Sequence, residues 1–114
     1  MQYLLLIYEN EAAAAEHGKL DEMMAEYKVF TQSIVEGGNL KAGDALQPTS
    51  TATTVRVRAG KTVATDGPFA ETREQLSGYY LIEAQNLDEA IAIAARVPTA
   101  RFGSVEIRPV LDYA

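Results

Sequence analysis

Two segments of this chain are apolar at consecutive positions, and this pattern limits what the chain can fold into. Residues 2–8 (QYLLLIY) and 79–82 (YYLI) do not alternate apolar with polar side chains, so as β-strands they would bury both faces of a sheet. Residues 20–34 and 87–95 carry apolar side chains at spacings of three and four, the stripe of an amphipathic helix. Two helices cover only one face of such a sheet. A second copy of the chain covers the other face without a further component, which predicts a homodimer through the sheet face.

The order of the predicted elements indicates an α+β fold. A hairpin with one polar face is predicted at residues 53–65, and a last strand at 104–110. Residues 9–18 are interpreted as a connection with one helical turn, and residues 39–50 as either a loop or a short irregular strand. The order is then strand, helix, hairpin, strand, helix, strand in a single domain over residues 1–114. We expect a ferredoxin-like βαββαβ fold, with an antiparallel sheet and two helices on one of its faces.

Composition excludes several classes of protein. The chain has no cysteine and a single histidine, His17, which excludes disulfides, thiolate chemistry, cysteine-ligated zinc and a multi-histidine metal site within one chain. Its net charge of −6 disfavours nucleic acid and anionic membrane surfaces as partners. No apolar run is long enough to span a bilayer, so we expect a cytoplasmic protein. Asp66, Glu71 and Glu74 are carboxylates of the kind that can bind a hard cation such as Mg²⁺, but they match no ligand-spacing motif, and we predict neither a metal nor a cofactor.

Residues 65–82 (TDGPFAETREQLSGYYLI) carry a resemblance to a known family. This stretch closely resembles the signature of the DGPF type of the YCII-related family, a group of small bacterial proteins. Residues 3–8, 52–58 and 103–110 resemble the opening strand, the hairpin and the closing strand of that family, so the resemblance covers essentially the whole chain. It implies a ferredoxin-like fold that dimerises through its sheet into an α+β barrel, in agreement with the argument from the apolar segments.

The resemblance also implies something about activity. Some members of the wider family carry a His–Asp pair in a buried cleft, with the histidine on the first helix and the aspartate before a proline after the second helix. Here Tyr27 and Lys28 occupy that region of the helix, and Val97 precedes Pro98. His17 lies before the helix and is interpreted as an exposed loop residue. DGPF proteins are often encoded near, or fused to, extracytoplasmic-function sigma factors, so the resemblance implies an accessory role beside such a factor.

Two functional hypotheses therefore stay open. The first is a homodimeric binding or accessory module, with a sigma-factor-associated protein or a small polar ligand as its partner. The second is a small cofactor-independent enzyme with a cleft beside the Asp66 loop, whose candidate residues have separate roles. A general base would come from Asp66 or Glu71, a hydrogen-bond donor from Tyr79, and an anion clamp from Arg73 or Arg108.

The charged residues of the predicted strands have two interpretations. Asp66-Gly67-Pro68-Phe69 is explained by turn chemistry alone, whereas the order of charges that follows it, including Glu71 and Glu74, favours a binding loop. Arg56, Arg58, Glu106 and Arg108 alternate with apolar side chains. They form either a solvated sheet face with cross-strand ion pairs or the charged lining of a cleft.

Overall fold

The computed structural model describes residues 1–16 and 20–112 of the chain; His17 and Gly18 lie outside the described residues. Within them the strands are β1 (Gln2–Glu9), β2 (Leu40–Ala45), β3 (Thr53–Arg58), β4 (Lys61–Asp66), β5 (Gln75–Glu83) and β6 (Ser104–Pro109). The helices are α1 (Glu11–Glu16), α2 (Leu20–Glu36) and α3 (Leu87–Ala94). Two short 3-10 turns lie at Thr49–Thr51 and Pro98–Arg101.

The main sheet is antiparallel and has the strand order β2-β5-β1-β6. Its two central strands, β1 and β5, are the segments that the sequence shows to be apolar at consecutive positions. Leu5 of β1 and Ile82 of β5 are fully buried. The prediction of an α+β fold with an antiparallel sheet is confirmed.

The predicted hairpin does not belong to this sheet. Strands β3 and β4 pair only with each other and form a two-stranded sheet of their own, so placing the hairpin in the βαββαβ order was wrong. The fourth strand of the main sheet is β2, and the shift in its register between Leu40 and Ala42 confirms the short irregular strand. Because the side chains of β2 are mostly small, its sequence shows no clear alternation of apolar and polar residues. Gly43 is required there, because a Cβ atom would lie 2.7 Å from Cδ1 of Tyr80.

Both long helices pack on the same face of the main sheet. The buried cluster combines side chains of β1 and β5 with Phe30 and Ile34 of α2 and with Ala90 and Ile93 of α3. Asn86 caps α3, since its side-chain oxygen accepts a hydrogen bond of 2.9 Å from the backbone N–H of Glu89. The face that bears the helices is therefore the hydrophobic core of the chain.

The opposite face of the main sheet remains partly exposed. Along β1 the buried residues alternate with Leu4, Leu6 and Tyr8, which keep part of their surface. Leu4 lies opposite Leu81, and Leu6 lies opposite Tyr79, so these side chains share one face. We call it the open face, and its members are Leu4, Leu6, Tyr79, Leu81, Glu106 and Arg108. It has an apolar centre and a charged edge on β6.

The molecule is flat and has a large surface for its mass. Its extents are 47 × 45 × 19 Å and its radius of gyration is 16.0 Å, against about 13 Å for a compact domain of this length. The accessible surface is 8107 Å², whereas a monomer of 12.4 kDa exposes about 6,100 Å². The excess of about 2,000 Å² reflects the open face and the separate hairpin.

Candidate functional site

A cleft of about 560 Å³ lies on the helix-bearing side of the main sheet. It is bounded by α2, by β2 and β5, and by the 3-10 turn Pro98–Arg101. Apolar side chains such as Ile7, Met23 and Leu40 line most of it. Gly43 and Gly78 line it at the sheet side, where a Cβ atom would lie within 3.0 Å of neighbouring strand atoms.

Two hydrogen-bonded pairs of hydroxyl groups lie in this otherwise apolar cleft. The Tyr27 hydroxyl lies 2.6 Å from Oγ1 of Thr99, and the Tyr80 hydroxyl lies 2.8 Å from Oγ1 of Thr31. All four residues line the cleft. We call this site the hydroxyl cleft, defined by Tyr27, Thr31, Tyr80 and Thr99. Four convergent hydroxyl groups in an apolar cavity are typical of a small-molecule site.

Local structure explains why these four groups meet. Tyr27 and Thr31 are one helical turn apart on the inward side of α2. Tyr80 lies on the helix-bearing side of β5, where its ring packs edge-on against Phe30 with 5.3 Å between centroids. Thr99 follows Pro98 in the 3-10 turn and is only 2% exposed. The four hydroxyl groups are therefore positioned by three different elements: α2, β5 and the 3-10 turn Pro98–Arg101.

The electrostatics of the hydroxyl cleft favour protonated hydroxyl groups. Burial raises the pKa of Tyr27 above its ordinary value of 10.0, and the hydrogen bond from Thr99 opposes this only in part. The carboxylate charge of Glu9 raises this pKa further. None of the described residues lining the cleft is basic, whereas Glu9 and Asp44 are acidic. The site therefore offers neutral O–H groups in an acidic surrounding.

The open face brings together three of the predicted site residues. Tyr79, Glu106 and Arg108 all lie on it, because Leu6 pairs with both Tyr79 and Glu106 while Leu4 pairs with Arg108. The Tyr79 hydroxyl donates to Oδ2 of Asp44 at 2.9 Å. That hydrogen bond and the charge of Asp44 raise the pKa of Tyr79. The Tyr79 hydroxyl is therefore hydrogen-bonded to a side chain of the neighbouring strand β2.

The other predicted site residues lie on the hairpin and on the loop that follows it. Asp66 is the exposed last residue of β4, and Glu71 and Arg73 are exposed in the loop. Arg56 donates to the carbonyl oxygen of Phe69 at 3.4 Å. Glu74 accepts a hydrogen bond of 2.7 Å from the hydroxyl of Ser104. The convergence of Asp66, Glu71 and Tyr79 that the enzyme hypothesis needs stays a prediction.

One expectation about charges is wrong. Arg56 and Arg58 lie on β3, in the two-stranded sheet, while Glu106 and Arg108 lie on β6 of the main sheet. They therefore cannot form cross-strand ion pairs within one chain, because the two pairs of residues belong to different sheets.

Sequence reasoning missed the hydroxyl cleft. Tyr27 lies within the apolar stripe of residues 20–34, and Thr31, Tyr80 and Thr99 are not among the predicted site residues. One local signal for the site is present in the sequence: Thr31 follows Tyr27 by four positions, so both side chains lie on the inward side of the predicted helix. The region is also where the resemblance places the histidine of the His–Asp pair.

Other kinds of site find no support in the described ranges 1–16 and 20–112. No group of three or more His, Asp or Glu residues in them is arranged to hold a metal ion. None of the helices described there is long and apolar enough to cross a membrane.

Comparison with known proteins gives two matches over nearly the whole chain. The family model for the YCII-related domain matches residues 1–114. An uncharacterized protein from Rhizobium meliloti (strain 1021) is 39% identical over 117 residues, which cover 99% of this chain and 94% of that protein.

Proposed function

The chain belongs to the YCII-related family, and from this premise we propose that it is a homodimeric small-molecule-binding protein whose site is the hydroxyl cleft. The observation that carries the proposal is the geometry of the two hydroxyl pairs, Tyr27 with Thr99 and Tyr80 with Thr31. Apolar side chains could fill the same space without any hydroxyl groups. We therefore attribute the four hydroxyl groups to ligand binding and not to stability.

The chemistry of the hydroxyl cleft selects an uncharged ligand. In each pair one hydroxyl proton is donated to the partner, and the accepting hydroxyl keeps its own proton for a further acceptor. Two O–H donors then face an apolar cavity, which suits a carbonyl or amide oxygen on an apolar body. An anionic ligand is disfavoured by Glu9 and finds no basic side chain among the described lining residues.

The test is a titration of amide chemical shifts with three probes of similar shape and different charge. Benzamide is uncharged, benzoate is anionic and benzylamine is cationic. We expect benzamide to shift amides around Tyr27, Thr31 and Tyr80, and benzoate to leave them unchanged. The Tyr27→Phe variant should lose most of the response, whereas Tyr8→Phe on the opposite side of the sheet should keep it. Equal binding of benzoate, or shifts confined to other surfaces, would contradict the proposal.

The homodimer is supported by the open face. Its apolar centre of Leu4, Leu6 and Leu81 is only half-buried in one chain, and a second copy would complete its burial. The strand order β2-β5-β1-β6 supports a ferredoxin-like topology, and two open faces packed together would form the α+β barrel that the family resemblance implies.

The enzyme hypothesis and the sigma-factor link have less support. Catalysis by Asp66, Glu71 and Tyr79 requires a free tyrosine hydroxyl, and that of Tyr79 is bonded to Asp44. The link to a sigma factor rests on the family resemblance alone, and the cytoplasmic location stays a prediction from composition.

A further inference from the structure

A second groove, of about 500 Å³, lies between α2 and the segment that follows α3. Ala25, Val29 and Ser33 line it from α2, and their spacing of four positions places them in one strip along the helix. None of the described residues lines both this groove and the hydroxyl cleft. We call it the arginine groove, defined by Val29, Phe30, Ser33, Arg96, Val97 and Arg101. Its volume is in the range of small-molecule sites.

The guanidinium of Arg96 is held over an aromatic ring in this groove. Its Cζ atom lies 5.8 Å from the centroid of the Phe30 ring, within the range of a cation–π interaction. Its Nη1 donates a hydrogen bond of 2.9 Å to Oγ of Ser33, which donates in turn to the carbonyl oxygen of Phe30 at 2.6 Å. A guanidinium has five N–H donors, and in the described ranges only Ser33 accepts from that of Arg96. The group is therefore oriented and still has donors to offer.

Arg101 brings a second guanidinium to the arginine groove. Its Nε donates to the carbonyl oxygen of Pro98 at 3.2 Å, and its Nη2 donates to Oε2 of Glu26 at 2.5 Å. The side chains of Arg101 and Glu26 are 61% and 44% exposed, and an ion pair at such a surface contributes little to stability. Nη1 of Arg101 donates to none of the residues that the structure describes. Arg101 is thus fastened at one side and open at the other.

The charge of the arginine groove is opposite to that of the whole chain. Its described lining holds two arginines and a single carboxylate, that of Glu26, whereas the chain has sixteen acidic and ten basic residues. The groove therefore attracts an anion, while the acidic remainder of the chain repels one that is highly charged. Phe30 and Val97 are buried and give the groove an apolar floor. A single negative charge on an apolar body matches both properties.

We infer that the arginine groove binds a small organic carboxylate that carries an apolar body. Arg96 is the principal anchor, because a guanidinium forms two parallel hydrogen bonds with a carboxylate. Arg101 adds a second positive charge, and the apolar body lies against Phe30 and Val97. A phosphate group is disfavoured because its second charge is repelled by Glu26. The inference goes beyond the proposed function, since the hydroxyl cleft selects an uncharged ligand on separate residues.

The test is a titration followed by nitrogen NMR of the arginine side chains, with four probes. They are 3-phenylpropanoate, its uncharged amide, acetate and inorganic phosphate. We expect 3-phenylpropanoate to give saturable shifts of the Nε–H groups of Arg96 and Arg101 and of the backbone amides of Val29 and Val97. The uncharged amide should leave the two arginine signals unchanged. Acetate, which lacks the apolar body, and phosphate should bind about tenfold more weakly or less still.

Three variants assign the binding to named side chains. Arg96→Gln should weaken the binding of 3-phenylpropanoate about tenfold or more, because the bidentate partner is lost. Lys61→Gln is the matched control, since it removes the same charge at the hairpin turn and should leave binding unchanged. Glu26→Gln should tighten binding by about threefold, because it removes the one carboxylate of the described lining. A gain of affinity cannot come from a loss of folding.

The results that overturn the inference are distinct from those that test the hydroxyl cleft. Equal shifts of Arg96 with the uncharged amide, acetate or phosphate would contradict a site for an apolar carboxylate. The same follows if Arg96→Gln binds like wild type, or if Glu26→Gln binds no more tightly. Each of these outcomes leaves the hydroxyl cleft standing, because its test reads Tyr27 and Tyr80 with benzamide. A failed benzamide test likewise leaves the arginine groove standing.

Discussion

The hydroxyl groups of Tyr27 and Thr99 lie 2.6 Å apart although 72 positions separate the two residues in the chain. This hydrogen bond joins the middle of α2 to the 3-10 turn after α3, and both residues line the hydroxyl cleft. Because Thr99 is only 2% exposed, its hydroxyl depends on this partner.

Replacing Tyr27 by Phe should destabilise the protein by roughly 1–3 kcal/mol, because the buried Thr99 hydroxyl loses its partner. Urea unfolding measures the change. Thr99→Val in the same background removes the unpaired hydroxyl, so the double variant should cost less than the sum of the two single variants. Strictly additive costs would show that the two hydroxyls do not interact.

The ionisation of Tyr27 should depend on burial. Its folded pKa is raised above 10.0, so the unfolded chain loses the phenolic proton at a lower pH than the folded chain does. The contribution of Tyr27 to stability is therefore constant below pH 10 and falls as pH rises through the folded pKa. Phenolate absorbance of wild type minus Tyr27→Phe should titrate above pH 10.0.

A matched variant separates burial from hydrogen bonding in this titration. Thr99→Val removes the hydrogen bond that lowers the pKa of Tyr27, so the titration should move to still higher pH. A difference curve with its midpoint at or below 10.0 would contradict the buried position of Tyr27.

Much of the architecture follows from local sequence, and the site does not. The strands β1 and β5 could be predicted because consecutive apolar residues require burial on both faces, and α2 ends at Glu36 before Gly38, whose φ of 75° suits glycine. The pairing of β2 with β5 could not be predicted, because β2 is made mostly of small and polar residues. The hydroxyl cleft depends on long-range contacts, such as that of Tyr27 with Thr99, which no local pattern encodes.

Replacing Gly43 by Ala should destabilise the protein by about 1–3 kcal/mol, because the new Cβ atom would lie 2.7 Å from the Tyr80 ring and 2.9 Å from the carbonyl oxygen of Tyr79. Chemical unfolding measures the cost. In a Tyr80→Leu background the same replacement should cost less, since part of the overlap is removed. A variant as stable as wild type would show that β2 does not approach Tyr80 this closely.

The open face should control association. Leu81→Asp places a charge at its apolar centre and should weaken dimerisation by about a hundredfold or more. Leu87→Asp is the control, since Leu87 is 50% exposed at the start of α3, where an acidic residue is favourable. Sedimentation equilibrium measures both. Equal masses for wild type and Leu81→Asp would contradict an interface on this face.

The central claim is that the hydroxyl cleft binds an uncharged ligand through its tyrosine hydroxyls. The most direct measurement is carbon NMR of the protein with labelled tyrosine rings during titration with benzamide and, separately, with benzoate. Saturable shifts of Tyr27 and Tyr80 with benzamide alone, and an unmoved Tyr8 on the opposite side of the sheet, are the predicted result. Unshifted Tyr27 and Tyr80 resonances, or the same shifts with benzoate, would contradict it.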